Sequence, residues 1–132
     1  MEKYKILVVD DDQLVLDMLK DNLGMLGYQV ETAEDEAGLK RAIDKSVPDV
    51  IMLDVRLPGL DGISLCRNIR RSSKTAHIPV IIMTGLADRV TFNDARLFGA
   101  SAFLNKPFEF DQVRKTLDEC IAGAYAKRGK EK

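Results

Sequence analysis

Tryptophan is absent from the 132 residues, cysteine occurs twice and histidine once. The cysteines, Cys66 and Cys120, show no Cys-x-x-Cys or Cys/His spacing, which excludes the usual zinc ligand patterns. Two cysteines are also too few for a disulfide-built scaffold. Both fall in stretches that read as helical, as reduced, semi-buried thiols do. His77 stands just before the apolar run Ile78–Met83, with no partner at catalytic or ligand spacing, and reads as a surface-loop residue. An excess of either charge is lacking too: 20 Lys and Arg face 21 Asp and Glu, a net charge of −1. No bulk basic field favours nucleic acid or a membrane surface. The apolar runs are far too short to span a bilayer. Met1-Glu2-Lys3-Tyr4-Lys5 leads into a strand without a signal peptide's apolar segment, so a cytoplasmic location is expected. With 45% hydrophobic and 31% charged residues, the composition fits one globular domain with a real core.

Strand and helix patterns alternate five times. Short β-rich runs occur at Lys5–Val9, Gln29–Thr32, Val50–Asp54, Pro79–Met83 and Ala102–Leu104. The first, third and fourth are continuous apolar runs, as in strands covered on both faces of a parallel sheet. The second and fifth are shorter or more mixed, which suits the edges. Helical periodicity marks Gln13–Leu26, Glu34–Lys45, Asp61–Arg71, Ala87–Phe98 and Phe108–Ala126. Gly27 and Gly99 stand where helices end. The alternation predicts an α/β domain with a parallel sheet and right-handed crossovers, over residues 1–126. Residues 127–132 read as a charged tail or the start of a linker. Repeats and low-complexity segments are absent.

Chemistry gathers at the strand ends. Ile6-Leu7-Val8-Val9 runs into Asp10-Asp11-Asp12, Val50-Ile51-Met52-Leu53 into Asp54, and Ile81-Ile82-Met83 into Thr84-Gly85. Phe103-Leu104-Asn105 runs into Lys106-Pro107. In an open α/β sheet the carboxyl ends of central strands face a common crevice. Packed carboxylates repel one another, and a hard divalent cation with oxygen ligands removes that repulsion. Asp11 and Asp54 then read as direct ligands of Mg2+ or Mn2+, Asp10 as a ligand through water, and the backbone carbonyl of Arg56 as a further oxygen. The remaining Asp54 oxygen is left to attack phosphorus. The Lys106 ammonium and Thr84 hydroxyl would take phosphoryl oxygens, with Gly85 leaving room. Lys106-Pro107 is a candidate cis peptide. Taken singly, each residue has a plainer reading: helix cap, buried polar group, strand end or surface charge. Their joint placement favours a phosphoryl site.

At these residues the chain resembles the receiver domain of two-component response regulators. Five segments carry the resemblance: Ile6-Leu7-Val8-Val9-Asp10-Asp11-Asp12, Pro48-Asp49-Val50-Ile51-Met52-Leu53-Asp54, Leu57-Pro58-Gly59-Leu60-Asp61-Gly62, Pro79-Val80-Ile81-Ile82-Met83-Thr84-Gly85 and residues 99–108. It covers about residues 4–125. It implies a flavodoxin-like (βα)5 doubly wound sandwich whose five-stranded parallel sheet has the order 2-1-3-4-5. It implies that Asp54 accepts phosphate from the phosphohistidine of a sensor histidine kinase or phosphotransfer protein. Asp10 and Asp11 match the family's metal-binding acids, Thr84 and Lys106 its switch hydroxyl and phosphate-binding lysine, and Phe103 its switch aromatic. The last is often tyrosine; Phe103 can turn inward but makes no phenolic hydrogen bond. Arg56 and Leu86 occupy positions where the family varies and tunes dephosphorylation; apolar Leu86 implies a fairly long-lived phosphoryl group. The implied output surface, for a downstream protein or domain, comprises 87–98, 102–104 and 108–126.

Two other classes share the crevice. An aspartyl-phosphate hydrolase of the haloacid dehalogenase type carries a second acid two residues after its nucleophile. Arg56 stands there and cannot serve as a general acid–base at neutral pH. A flavin phosphate needs a hydroxyl- and glycine-rich loop after the first strand, where Asp10-Asp11-Asp12 would repel it. The expectation is therefore a signalling phosphoacceptor, not an enzyme acting on other substrates. A homodimer formed on phosphorylation is a further readout that the resemblance allows.

Overall fold

The computed structural model describes residues 3–57, 60–85, 96 and 99–130. The predicted helix over 87–98 and the residue Leu86 lie outside them, apart from Arg96. Five strands form the main sheet: β1 (Lys5–Val9), β2 (Gln29–Ala33), β3 (Val50–Asp54), β4 (Val80–Thr84) and β5 (Ala102–Asn105). Their order is β2-β1-β3-β4-β5, and every pairing is parallel. This is the predicted topology, with the apolar runs central and the mixed ones at the edges.

Four helices are described: α1 (Gln13–Met25), α2 (Glu36–Lys45), α3 (Gly62–Arg71) and α4 (Phe110–Lys130). Successive strand residues point to opposite faces, so each central strand feeds two cores. Ile6, Val8, Val50, Met52, Ile81 and Met83 meet Leu16, Leu19 and Leu23 of α1 and Val113 and Leu117 of α4. Leu7, Val9, Ile51, Leu53, Val80 and Ile82 meet Leu39 of α2 and Leu65, Cys66 and Ile69 of α3. Every residue of β1, β3 and β4 is buried, as two-sided cover demands. Cys66 and Cys120 are free thiols, and burial raises both above their ordinary pKa. His77 is exposed in the loop before β4.

Helix limits follow local chemistry. The Asp12 side chain accepts the Leu14 N–H at 3.0 Å, which caps α1. Asp35 does the same for α2 through the Gly38 N–H at 2.8 Å, so that helix starts at Glu36, two residues later than predicted. Gly27, with φ +95°, turns the chain out of α1. The last helix begins at Phe110 rather than Phe108 and continues past Ala126 to Lys130, into the predicted tail. Tyr125 secures it: its hydroxyl donates to the Asp49 carbonyl at 2.6 Å, and its ring lies 5.7 Å from that of Tyr4.

Two features had no counterpart in the sequence reading. Arg56–Leu57 and Leu60–Asp61 pair as a small antiparallel ribbon between β3 and α3. Arg70, in the last turn of α3, ties the entries of β4 and β5 together. Its guanidinium donates to the carbonyls of Ala76 (3.1 Å), Ile78 and Gly99 (2.9 Å) and to Ser101 Oγ (3.3 Å). Gly99 has φ +99°, and a Cβ there would lie 2.5 Å from Arg70 Cγ.

Gly123 lies inside α4 with nothing within 4 Å of a would-be Cβ. Gly123→Ala is expected to stabilise the domain by about 0.5–1 kcal/mol, through reduced freedom of the unfolded chain. Thermal unfolding followed by circular dichroism checks this through a Tm rise of about 2–5 °C.

Candidate phosphoryl and metal site

The carboxyl ends of β1, β3 and β5 bring Asp10, Asp54 and Lys106 into contact, and Thr84 ends β4, the strand next to β3. Asp10 follows β1, has no solvent exposure, and donates its backbone N–H to the Ala33 carbonyl at 3.1 Å. Its Oδ1 accepts the Asp12 N–H at 2.9 Å, and its Oδ2 accepts from Lys106 Nζ at 2.6 Å. Both oxygens of this buried carboxylate are therefore engaged. Asp11, by contrast, is exposed. Asp12 is the capping residue, the plainer reading of one member of the acidic run.

Asp54 ends β3 and is 5% exposed. Its Oδ1 accepts the Arg56 N–H at 3.1 Å, and its Oδ2 lies 3.4 Å from Lys106 Nζ. Thr84 ends the neighbouring β4, is buried, and its hydroxyl donates to the Gly85 carbonyl at 3.4 Å. Lys106 is fixed by its backbone N–H to the Thr84 carbonyl at 2.7 Å, and its peptide bond to Pro107 is cis. Phe103, opposite Ile82 in the sheet, packs half-buried against the α2–α3 core. Arg56 is exposed, with its amide directed to Asp54.

The charges explain one another. Burial pushes the Asp54 carboxyl up to about 6 from 3.8; the Arg56 amide opposes this, the Asp10 charge adds to it, and Lys106 opposes it. Burial alone would lower the Lys106 ammonium. The hydrogen bond and charge of Asp10, followed by those of Asp54, more than offset that, and its pKa is raised. The lysine thus stays charged between two carboxylates at neutral pH. One oxygen each from Asp10, Asp11 and Asp54 can be chosen so that all lie within 4.8 Å of one another. A set made only of carboxylate oxygens, two of them from buried residues, fits a hard divalent cation.

With the geometry in hand, comparison with known proteins defines the class. The family model of the response regulator receiver domain matches residues 6–118, and the chain belongs to that family. The DNA-binding dual master transcriptional regulator RpaA of Synechocystis is 38% identical over 112 residues, 83% of this chain and 45% of the relative. The response regulator PleD of Caulobacter vibrioides is 38% identical over 105 residues, 80% of this chain and 23% of the relative. The chain therefore spans less than half the length of these curated relatives. Among solved structures, the chemotaxis response regulator CheY4 of Vibrio cholerae superposes with TM-score 0.83 at 29% identity, over 90% of this chain and 99% of that one. NtrX of Brucella abortus superposes with TM-score 0.88 at 29% identity, over 98% of this chain and 30% of that one. The protein is a receiver domain of two-component signalling with a flavodoxin-like fold. No helix among the described residues is long and apolar enough to cross a membrane.

The raised Asp54 pKa has a stability consequence. The folded protein binds this proton more tightly than the unfolded chain. The group contributes full stability below about pH 4, and that contribution is lost as pH rises through about 6. Asp54→Asn is expected to stabilise the metal-free protein at pH 7 by on the order of 1–3 kcal/mol, a gain that vanishes near pH 4. Urea unfolding of both proteins at the two pH values, in chelator, checks it.

Proposed function

We propose that Asp54 is the phosphoacceptor and that the domain takes a phosphoryl group from the phosphohistidine of a sensor histidine kinase or phosphotransfer protein. One Asp54 carboxylate oxygen forms the new O–P bond. The P–N bond to the donor imidazole breaks, and its electron pair stays on that nitrogen. The observation that carries this reading is the ammonium of Lys106, 2.6 Å from Asp10 and 3.4 Å from Asp54 at the mouth of the acid cluster. There it is placed to follow the charge that gathers on phosphoryl oxygens.

Asp11 and Asp54 would hold Mg2+ (or Mn2+) directly and Asp10 through water, since both Asp10 oxygens already have partners. The Arg56 backbone carbonyl would complete the protein's share. When bound, the cation neutralises the carboxylates and one phosphoryl oxygen. The protein's own residues orient the reaction: the Arg56 amide holds one Asp54 oxygen, and Lys106 and Thr84 receive phosphoryl oxygens. Such a domain acts only on itself, in phosphorylation and dephosphorylation.

Phosphorylation adds nearly two negative charges beside Lys106. The Thr84 hydroxyl leaves the Gly85 carbonyl for a phosphoryl oxygen, and Phe103, half-buried on the neighbouring strand, turns into the space beside β4. The surface of β5 and α4 then changes for a downstream protein or output domain, by biasing an existing equilibrium. A homodimer formed on phosphorylation is one such readout.

Incubation with acetyl phosphate and Mg2+ is expected to give one alkali-labile phosphoryl group per chain, abolished in Asp54→Asn and formed about 10²–10³-fold more slowly in Lys106→Ala. Mass spectrometry counts the adduct; continuous multiple turnover of phosphate esters would instead mark a hydrolase. Thr84→Ala is expected still to accept phosphate on Asp54, more slowly than the wild type, yet to lose most of the phosphorylation-induced NMR shift at Phe103. A wild-type shift in that variant contradicts the switch.

A further inference from the structure

Gly62, the first residue of α3, is buried and donates its N–H to the Val55 carbonyl at 2.7 Å. A Cβ built on it would lie 2.3 Å from the Asp54 carbonyl oxygen, 2.7 Å from Val55 Cα and 3.0 Å from the Asp54 carbonyl carbon. All three are backbone atoms and cannot swing aside as the end of a side chain does. The opposite side of this chain segment is fixed as well: the Val55 N–H donates to the Met83 carbonyl of β4 at 2.9 Å. The Asp54–Val55 peptide is thus held between a central strand and the start of a helix. The positive-φ glycines among the described residues are Gly27 and Gly99, so Gly62 is needed for space rather than for backbone conformation. The contrast within the molecule is plain, since Gly24 and Gly123 have nothing within 4 Å of a Cβ.

We propose that Gly62 is a positioning residue for phosphoryl transfer: its missing side chain lets α3 seat on the Asp54–Val55 peptide and hold the acceptor carboxylate in register with Asp10, Asp11 and Lys106. This rests on Asp54 as the phosphoacceptor. A methyl group at position 62 must open its contact with the Asp54 carbonyl by about 1 Å to reach ordinary packing distance. Either the Gly62–Val55 hydrogen bond opens or the Asp54 peptide shifts. In both cases the carboxylate loses the constraint that fixes it against Lys106, and a displacement of about 1 Å at a reacting group costs about 10²-fold in rate.

The test is Gly62→Ala, made in the Gly123→Ala background to offset lost stability. Folded fraction is measured by circular dichroism, affinity for Mn2+ alone by electron paramagnetic resonance of the free ion, and adduct formation with acetyl phosphate at saturating Mg2+ by mass spectrometry. Under conditions where the variant is folded, the expected result is Mn2+ affinity weakened about tenfold and adduct formation slowed about 10²-fold. A folded variant within twofold of its parent in both, with only its urea midpoint lowered, overturns the proposal and leaves Gly62 an ordinary packing residue. Should the variant not fold, hydrogen exchange in the wild type decides. A Gly62 amide exchanging as slowly as that of Val55 supports the clamp, and one exchanging as fast as a loop amide overturns it. If the parent binds Mn2+ but takes no phosphoryl group on Asp54, the phosphoacceptor reading fails. The Mn2+ comparison then still decides whether Gly62 sets the acid cluster.

Discussion

The ammonium of Lys106 is the contact on which the site depends. It lies against Asp10, which has no solvent exposure, and within 3.4 Å of Asp54, which has 5%. Two carboxylates at such depth destabilise the fold unless a cation sits with them. Lysine supplies one positive charge for two negative ones, and exposed Asp11 brings a third carboxylate to the rim. The residual negative charge suits a hard divalent ion, and in the proposed function the same ammonium receives a phosphoryl oxygen. What makes the pocket costly to fold is also what gives it chemistry.

The sheet makes this arrangement possible. Parallel strands with helices on both faces put every strand's carboxyl end at one edge. The register then sets the neighbours: Asp54 opposite Met83, and Thr84 opposite Asn105, one residue before Lys106. At the far edge Arg70 binds the entries of β4 and β5 to the end of α3. These two strands, which carry Thr84 and Phe103, are thus secured at both ends, by Arg70 at the entries and by the Lys106 N–H on the Thr84 carbonyl at the exits.

Most of this was legible in the chain. Continuous apolar runs marked the two-sided strands, and each ended in a polar residue of the expected type. The placement of Asp10, Asp54, Thr84 and Lys106 at the strand ends was legible by position, because strand ends in this architecture converge. What escaped notice depends on tertiary packing. Arg70 looks like any basic residue near a helix end, and only the folded loops supply its four acceptors. Gly62 stood within the predicted helix Asp61–Arg71 with nothing to mark it, and only the folded chain shows the Asp54 backbone pressed where its Cβ would be. The short ribbon of Arg56–Leu57 with Leu60–Asp61 has too few residues to show a periodicity. The last helix outran its predicted end because the charged residues after Ala126 include no proline to stop it.

The central claim is that Asp54 is a buried carboxylate whose pKa is raised by burial and pulled back down by Lys106 and by a divalent cation. Carbon-13 NMR of the Asp54 carboxyl, titrated from pH 3 to 9 with and without saturating Mg2+, tests this most directly. The account predicts a midpoint near 6 in the metal-free protein, falling when Mg2+ is added and rising in Lys106→Met. A midpoint near that of a free aspartate, about 4, and indifferent to both Mg2+ and the lysine would contradict it.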